Sequence, residues 1–387
     1  MTIIPRDTLI KLSRALLDQR EVDAVTQVML HTAYLGMGSL VREFEEKLQS
    51  FLATTRTVVA VNTGTSALHL AVESCCPPGS EVLVPTITFV ASYQAIRAAR
   101  CVPVSCDVDP DSGCLDLADA SRRVTPRTRA VMPVHYAGRP MHMHALQSFA
   151  KTHGVRVIED AAHALGSRCD GRMIGAQGDI TCFSFDGIKN ITCGEGGAII
   201  TDDAQVIQRA QDARLLGVEK DTEKRYGSQR SWEFDVKAPG YRYHMGNLYA
   251  AIGLTQLAKA PEMFAHRQVL TARYDRALRE VKGVQLFPLA DPNIVPHIYP
   301  IRVLGGRRDA LKDALQQYRI ETGIHYYPNH WLSLFGGKRG TLPRAEQLYS
   351  ELLTLPLHCG LGLDDIDYVT EVVRQFLTLH SASCSSC

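Results

Sequence analysis

The 387-residue sequence predicts an α/β fold, in which a large domain has a mostly parallel sheet flanked by helices and a smaller C-terminal domain is α+β. The first observation behind this prediction is that short apolar runs alternate with helical patterns between residues 58 and 201, as in parallel sheets with helices on both faces. The second is that this alternation stops after Leu257. The third is a hydrophobic content of 45%, which is enough for two such domains.

The predicted sheet consists of short runs rich in β-branched and aliphatic residues, which are typical of strands buried on both faces. These runs lie at 58–61, 81–84, 101–105, 129–134, 155–158, 180–185 and 198–201. Helical patterns lie between them at 66–73, 90–99 and 141–152. Such an order favours parallel pairing, because neighbouring parallel strands need a crossover connection.

The C-terminal part has a different order of elements. A long helix is predicted at 261–281, followed by the segment 293–303 and by helices at 309–318 and 366–379. Helices within residues 6–30 are expected to pack with this smaller domain. The predicted units are therefore N-terminal helices at 1–30, a large domain at 31–257 and a small domain at 258–387.

Charge and composition argue against several classes of protein. Lysine and arginine total 42 against 41 for aspartate and glutamate, so no overall field attracts nucleic acid or an anionic membrane. Residues 1–17 mix charged with apolar side chains, and no apolar run is long enough to span a membrane, which favours a cytoplasmic protein. The 11 cysteines are expected to be free thiols. Cys384 and Cys387 lack a second ligand pair, so no metal site is expected.

Lys189 and Asp160 are the candidate catalytic residues. Asp160 follows the apolar run 155–158, and open α/β sheets bind ligands at the carboxyl ends of their strands. Lys189 follows the predicted strand 180–185 and precedes a glycine-rich turn. A deprotonated amine can form a Schiff base with an aldehyde, and a pyridoxal phosphate site also needs a carboxylate facing the ring nitrogen. The alternative is an ordinary surface lysine and an aspartate that caps a helix.

A second candidate site is the Asn-Thr-Gly-Thr-Ser segment at 62–66, which directly follows the first predicted strand. The N-terminus of a helix presents free backbone N–H groups to an anion, so Thr65 and Ser66 are expected to contact a phosphate. The alternative is ordinary helix capping. Phe89 follows the second predicted strand and is a candidate to stack on a flat ring, with a place in the apolar core as the alternative.

With these motifs, the chain resembles the DegT family of nucleotide-sugar aminotransferases, which are pyridoxal phosphate enzymes of fold type I in the aspartate aminotransferase superfamily. The similarity runs from about residue 33 to residue 377. It rests on Gly-Thr-Ser-Ala-Leu at 64–68, Thr-Phe-Val-Ala-Ser at 88–92, Pro-Val-His-Tyr-Ala-Gly at 133–138, Glu-Asp-Ala-Ala-His-Ala at 159–164, Phe-Ser-Phe at 183–185 with Lys189 and Gly-Glu-Gly-Gly at 194–197, Ala-Ala-Ile-Gly-Leu-Thr-Gln-Leu at 250–257, and Thr-Gly-Ile-His-Tyr-Tyr-Pro-Asn-His at 322–330.

The resemblance implies a role for each matching residue. Lys189 would form the Schiff base with the cofactor, and Asp160 would keep its pyridine nitrogen protonated. His163 would lie beside the phenolic oxygen of the cofactor, and Phe89 would stack on its ring. The residues that would hold the phosphate are Thr65, Ser66 and Ser184.

One segment departs from the family pattern. Members commonly carry Gly-Tyr-Asn-Tyr-Arg, in which the asparagine reaches the cofactor phosphate of the neighbouring subunit, whereas residues 240–244 are Gly-Tyr-Arg-Tyr-His. Arg242 offers a forked, permanently charged donor for the same contact. The resemblance then implies a homodimer with shared active sites. The alternative is that Arg242 pairs with a surface acid.

The resemblance also implies the reaction. L-glutamate would donate an amino group to a keto-sugar linked to a nucleotide, most often at C4 and sometimes at C3 in this family. The resulting amino-sugar would serve a surface polysaccharide, a lipopolysaccharide or the glycosylation of a secondary metabolite. The candidate substrate-binding residues are His325, Tyr327 and His330, each with a purely structural role as the alternative.

Three other functions are compatible with the fold. A sugar dehydratase that uses pyridoxamine phosphate replaces the lysine by histidine, which Lys189 argues against. A cysteine desulfurase needs a mobile cysteine near the cofactor, for which Cys359 and Cys193 are the candidates. A non-catalytic regulator would keep the fold, but the presence of both Lys189 and Asp160 argues against it.

Overall fold

A computed structural model of the chain describes residues 4–382, with side chains up to residue 378. This part of the chain contains a seven-stranded, a three-stranded and a two-stranded sheet. Their strands are β1 (Thr57–Val61), β2 (Glu81–Pro85), β3 (Val102–Cys106), β4 (Thr128–Val131), β5 (Arg156–Asp160), β6 (Arg168–Cys169), β7 (Arg172–Met173), β8 (Ile180–Ser184), β9 (Gly197–Thr201), β10 (Val284–Leu286), β11 (Tyr299–Val303) and β12 (Leu352–Leu355).

The largest sheet has the strand order β1–β9–β8–β5–β4–β2–β3. Strand β9 runs antiparallel to both of its neighbours, and the pairs from β8 to β3 are parallel. All seven strands form where the sequence predicts them, so the mostly parallel sheet is confirmed. The reversal of β9 was not predicted. It arises because no helix lies between β8 and β9, so the chain turns back beside β8 instead of crossing over.

Helices cover both faces of this sheet. The described α-helices are α1 (Gln19–Gln27), α2 (Ser39–Phe51), α3 (Gly64–Cys75), α4 (Val90–Ala98), α5 (Leu117–Arg122), α6 (Met143–His153), α7 (Ala204–Ala213), α8 (Thr222–Tyr226), α9 (Asn247–Leu278), α10 (Arg308–Gln317), α11 (Pro343–Glu351) and α12 (Leu363–Ala382). The apolar core on one face includes residues of α3, α4 and α7, and the core on the other face includes residues of α2, α6 and α9. Side chains of β1 alternate between the two cores, as expected for a strand buried on both faces.

Helix α9 is longer than the sequence predicts. The predicted start at residue 261 was wrong, because the helix begins at Asn247 and continues through Pro261. Ala250, Gly253, Leu257 and Ala260 are all buried at helical spacing on the N-terminal side of the proline, and this packing maintains the helix where proline alone favours a break. The predicted domain boundary between residues 257 and 258 therefore lies inside one continuous helix.

The smaller sheet has the order β10–β11–β12 with antiparallel pairs. The N-terminal segment lies along this part of the protein, since Ile10 forms a β-bridge with Ile320 and Arg6 pairs with Asp365. The expectation of helices from residue 6 was only partly correct, because residues 6–18 are not helical and α1 begins at Gln19. A single π-helical turn, Val28–Thr32, follows α1.

Within residues 4–382, no helix combines the length and apolar content needed to cross a membrane. The same part of the chain has no group of three or more histidine, cysteine, aspartate or glutamate side chains placed to hold a metal ion. The nine cysteines in the described residues are free thiols. Cys384 and Cys387 lie outside the described residues.

Candidate active site

A cavity of about 410 Å³ lies where the carboxyl ends of β5 and β8 meet the N-terminus of α3. This is the edge at which open α/β sheets bind ligands, and the volume suits a small molecule. The sequence-predicted residues that line the cavity are Thr65, Phe89, Asp160, His163, Ser184, Lys189 and His325. Residues far apart in the sequence are therefore brought to one site by the topology of the sheet.

Asp160 is the last residue of β5 and is buried. Its carboxylate accepts a hydrogen bond from the Ser92 hydroxyl at 2.7 Å and one from the backbone N–H of Ala162 at 3.2 Å. These two donors fix the orientation of the carboxylate and satisfy it, because buried carboxylates need hydrogen-bond partners. An oriented anion at the base of the cavity can bind a positively charged ring nitrogen.

Lys189 reaches the cavity from the loop that follows β8. Its backbone N–H donates to the carbonyl of Asp186 at 3.1 Å, which turns the chain just after the strand. Burial lowers the pKa of the Lys189 ammonium group, while the charges of Asp160 and Asp186 act in the opposite direction. The lowered pKa increases the fraction of neutral amine, which is the form that attacks an aldehyde.

The N-terminus of α3 forms a cradle at the cavity wall. Thr63 caps the helix by accepting a hydrogen bond from the backbone N–H of Ser66 at 3.0 Å, which leaves the first-turn N–H groups of Gly64 and Thr65 for an anion. A Cβ atom at Gly64 would lie 2.6 Å from the Cβ of Ser184, so only glycine lets β8 approach the helix this closely. Ser184 is thereby placed beside the free N–H groups.

Ser66 is in the same helical turn, but its hydroxyl does not line the cavity. This hydroxyl donates to Asn62 Oδ1 at 2.7 Å and lies 2.8 Å from the Thr63 hydroxyl. Ser66 is therefore held by local hydrogen bonds, and the capping that the sequence left as an alternative is present here. Thr65 is exposed, lines the cavity and has the more accessible hydroxyl.

His163 and Phe89 both lie next to Tyr326. His163 is buried, and its Nε2 lies 3.0 Å from the Tyr326 hydroxyl, while its Nδ1 has no hydrogen-bond partner within the described residues. Burial, with the nearby Lys189 and His325, holds the pKa of His163 well below its usual value, so the imidazole is neutral. Phe89 is 57% exposed and lines the cavity. It is thus not part of the apolar core and presents its ring to a ligand.

His330, in contrast, does not line the cavity and is buried. Its backbone N–H donates to the hydroxyl of Thr86 at 3.2 Å, that hydroxyl donates to His330 Nδ1 at 2.8 Å, and Nε2 donates to Glu346 at 3.1 Å. The side-chain amide of Asn329 donates to the backbone oxygens of Thr86 and Thr88 at 3.1 and 2.7 Å. These bonds attach the segment 325–330 to the residues that follow β2.

The remaining candidates are more exposed. Tyr327 is 42% exposed, and its ring packs edge-on against Trp331. Arg242 is exposed and does not line the cavity. Its guanidinium forms no ion pair within the described part of the chain. His325 does line the cavity, with Nδ1 2.9 Å from the Thr354 hydroxyl, and burial together with Lys189 lowers its pKa to about 4.

The cavity lining also includes residues that were not among the candidates read from the sequence, and three of them are Asp186, Glu195 and Tyr326. Burial and the neighbouring Asp186 raise the pKa of the Glu195 carboxyl group. Each of the three lies within or next to a motif that the sequence singled out, so the motif was the available signal. Which side chain of a loop turns inward depends on backbone geometry that periodicity does not encode. Cys193 and Cys359, the candidates for a sulfur-transfer site, do not line the cavity.

The residues present fit pyridoxal phosphate. The cavity combines a buried amine of lowered pKa with a carboxylate held by two donors, as a reactive aldehyde and a ring nitrogen require. It also offers a glycine cradle at a helix N-terminus for a phosphate and a buried histidine nitrogen without a partner in the described residues. Each polar part of that cofactor thus has a matching group.

The comparison with known proteins agrees with this site. The model of the DegT/DnrJ/EryC1/StrS aminotransferase family matches residues 16–374. The chain belongs to this family. This DegT-family chain is 35% identical over 383 residues to the spore coat polysaccharide biosynthesis protein SpsC of Bacillus subtilis strain 168. The matched region covers 96% of this chain and 98% of SpsC.

Solved structures give the same result for this DegT-family fold. The aminotransferase TlmJ from Streptoalloteichus hindustanus has a TM-score of 0.88 and 32% identity, over 96% of this chain and 100% of TlmJ. Spr1654 from Streptococcus pneumoniae in its PLP form has a TM-score of 0.87 and 26% identity, over 96% of this chain and 99% of that chain. The fold type I prediction and the sugar aminotransferase prediction are confirmed at this level.

Proposed function

We propose that this sugar aminotransferase uses pyridoxal phosphate to move an amino group from L-glutamate to a keto group, at C4, of a nucleotide-linked sugar. The observation that carries the proposal is the meeting of Lys189, Asp160 and the Gly64 cradle in one cavity. The relationship to SpsC supports a product destined for a surface polysaccharide, and the likeness to TlmJ is equally compatible with the glycosylation of a secondary metabolite. Free thiols in the described residues support a cytoplasmic location.

The geometry of the cavity supports a binding role for several residues. When bound, pyridoxal phosphate supplies an aldehyde and a ring that accepts electrons. Asp160 would face the ring nitrogen, with Ser92 holding the carboxylate in place. Phe89 would cover one side of the ring. The residues proposed to hold the phosphate are Thr65, Ser66 and Ser184. The Ser66 hydroxyl would exchange its hydrogen bond to Asn62 for one to the phosphate.

Lys189 has two proposed tasks. Its amine would hold the cofactor aldehyde. Once the incoming amino donor has taken that place, the freed amine would accept the proton from the donor's α-carbon as a general base and give it up again as a general acid. The lowered pKa suits both tasks, because the amine must be free of its proton to attack and to act as a base. His325 stays neutral at pH 7, so it is proposed to contact the sugar as a neutral hydrogen-bonding group. Tyr327 and His330, which do not line the cavity, are proposed to contact parts of the substrate that lie farther from the cofactor.

The charge of the cavity supports a contribution from a second subunit. Asp160, Asp186 and Glu195 are three acidic groups that line it, and Lys189 is used to hold the cofactor. Glutamate and a nucleotide-linked sugar are both anions, so the cavity of a single chain opposes them unless another cation is present. We propose that Arg242 of the partner subunit supplies this charge near the cofactor phosphate, in a symmetric homodimer.

The first test is the visible absorption of the purified protein with pyridoxal phosphate, before and after L-glutamate. We expect a visible absorption band at longer wavelength than the absorption of the protein alone. L-glutamate should bleach this band, because the amino group is transferred to the cofactor. The Lys189→Ala variant should lack the wild-type band. Lys151→Ala changes an exposed lysine and should behave as wild type. A wild-type band that is insensitive to glutamate would contradict the proposed donor half-reaction.

A mixing experiment tests the shared site. Lys189→Ala and Arg242→Ala chains are each expected to have little activity alone. Co-assembled in equal amounts, they should recover about a quarter of wild-type activity, because half of the dimers are mixed and each mixed dimer has one intact site. Activity no higher than the sum of the two separate variants would show that Arg242 does not act across the interface.

A further inference from the structure

Tyr326 is a cavity residue to which the proposed reaction assigns no role. Its hydroxyl lies 3.0 Å from His163 Nε2, and its ring centroid is 5.9 Å from that of Phe89. His163 Nδ1 is buried and has no hydrogen-bond partner within the described residues. One nitrogen of the imidazole is thus satisfied by Tyr326, and the other has no hydrogen-bond partner among the described residues, although buried polar atoms normally have one.

We propose that Tyr326 is a positioning residue that fixes the tautomer of His163, so that Nδ1 carries the proton and donates it in a hydrogen bond to the phenolic oxygen of bound pyridoxal phosphate. This inference rests on the proposed function and assigns a residue that the sequence did not indicate. It concerns the proton on one named atom of His163.

The direction of the hydrogen bond follows from the protonation states of the two groups. Burial and the neighbouring Lys189 and His325 keep the pKa of His163 well below its usual value, so the ring has a single proton. Burial, with the charges of Asp160 and Asp186, raises the pKa of Tyr326, so its phenol stays protonated. Each group can then donate one hydrogen bond and accept another.

The phenol is the better donor of the pair. A phenol with an ordinary pKa of about 10 is a far stronger acid than a neutral imidazole, whose unprotonated nitrogen is a stronger base than a phenolic oxygen. Tyr326 therefore donates to Nε2, and the single imidazole proton is on Nδ1. The hydrogen bond at one histidine nitrogen sets which nitrogen carries the proton.

A fixed donor at the phenolic oxygen has a measurable effect. It stabilises the anionic form of that oxygen and so lowers the pH at which the linkage between Lys189 and the cofactor loses its proton. Several charged or titratable groups of the described residues lie around Lys189 and His163. They are Asp160 at the end of β5, Cys182 in β8, Asp186 in the loop after β8, Glu195 before β9, His297 with its ring 4.4 Å from that of His163, and His325 and Tyr326 in the loop after α10. Removing only the Tyr326 hydroxyl leaves all the other groups unchanged.

The test is a pH titration of the visible band of the cofactor-loaded protein. The Tyr326→Phe variant keeps the ring and should shift the midpoint upward by about one pH unit. Tyr318→Phe removes the hydroxyl of a tyrosine at the end of α10 that does not line the cavity, and it should titrate as wild type. In a His163→Phe background, adding Tyr326→Phe should cause no further shift, because the tyrosine acts through His163.

Two results would overturn the inference. The first is a Tyr326→Phe midpoint equal to that of the wild type, and the second is an equal shift in the presence and absence of His163. His163→Asn provides an independent check, since its amide nitrogen can donate without a choice of tautomer. Its midpoint should stay near wild type, and a midpoint as high as that of His163→Phe would also contradict the inference. Absence of a visible band in the wild type would instead refute the proposed function.

Discussion

The Asp160→Asn variant is expected to lose about 10²- to 10⁴-fold in kcat. Asp160 is buried and lines the cavity, so a positive ring nitrogen of the bound cofactor would be buried beside it. Removing one partner of a buried ion pair costs about 3–5 kcal/mol, and each 1.36 kcal/mol corresponds to a factor of about ten in rate. The measurement is kcat with a keto-sugar acceptor at saturating glutamate, on protein that has been shown to bind the cofactor.

The matched control is Ser92→Ala. This change removes one of the two donors to the Asp160 carboxylate but leaves its charge. A hydrogen bond to a charged group is worth about 1.5–3 kcal/mol, so kcat should fall by about 10- to 100-fold, less than in Asp160→Asn. If Asp160→Asn retained more activity than Ser92→Ala, the charge of Asp160 would not be the important property.

The Arg214→Met variant should lose about 3–5 kcal/mol of the free energy of unfolding. Arg214 is completely buried and donates to Glu45 at 2.7 Å, to the backbone oxygen of Ala60 at 2.6 Å and to the Tyr226 hydroxyl at 3.0 Å. Methionine fills a similar space but leaves the buried Glu45 without its cation. Urea unfolding followed by circular dichroism measures the loss.

Arg42→Met is the control for this prediction. Arg42 pairs with Glu223 at 2.7 Å, but the two side chains are 44% and 77% exposed. Exposed ion pairs contribute about 0–1 kcal/mol, so the unfolding midpoint should hardly change. Equal losses in the two variants would mean that the buried network of Arg214 adds nothing beyond an ordinary surface pair.

The sequence was sufficient for the strands because burial on both faces leaves a direct pattern. Runs such as 58–61 are apolar at every position, so no choice of face was needed. The start of α9 was missed for the opposite reason. Its N-terminal half contains Gly253 and precedes Pro261, both unfavourable in an isolated helix, and only packing against the rest of the chain maintains it there.

The candidate site divides in a similar way. Lys189, Asp160 and the Gly64 turn could be identified because their chemistry is demanding and each follows a strand that is easy to recognise. Among residues 325–330, two of the three chosen side chains are not in the cavity, and Tyr326, which is, was passed over. That segment has no regular period before its short 3-10 turn Asn329–Trp331, so the sequence offered no rule for which side chains face inward.

The attachment of residues 325–330 to the end of β2 has a consequence for how substrates arrive. Asn329 and His330 together make four hydrogen bonds from their N–H groups to Thr86 and Thr88, and the Thr86 hydroxyl returns one. At about 0.5–1.5 kcal/mol each, swinging this segment away from the large domain would cost several kcal/mol. The cavity wall is therefore preassembled, with no hinged lid at this side. Capture of an anionic donor should therefore depend on electrostatic steering at a static entrance. The rate of capture should fall as the ionic strength rises, because salt screens this steering, and it should not be limited by the closing of a lid.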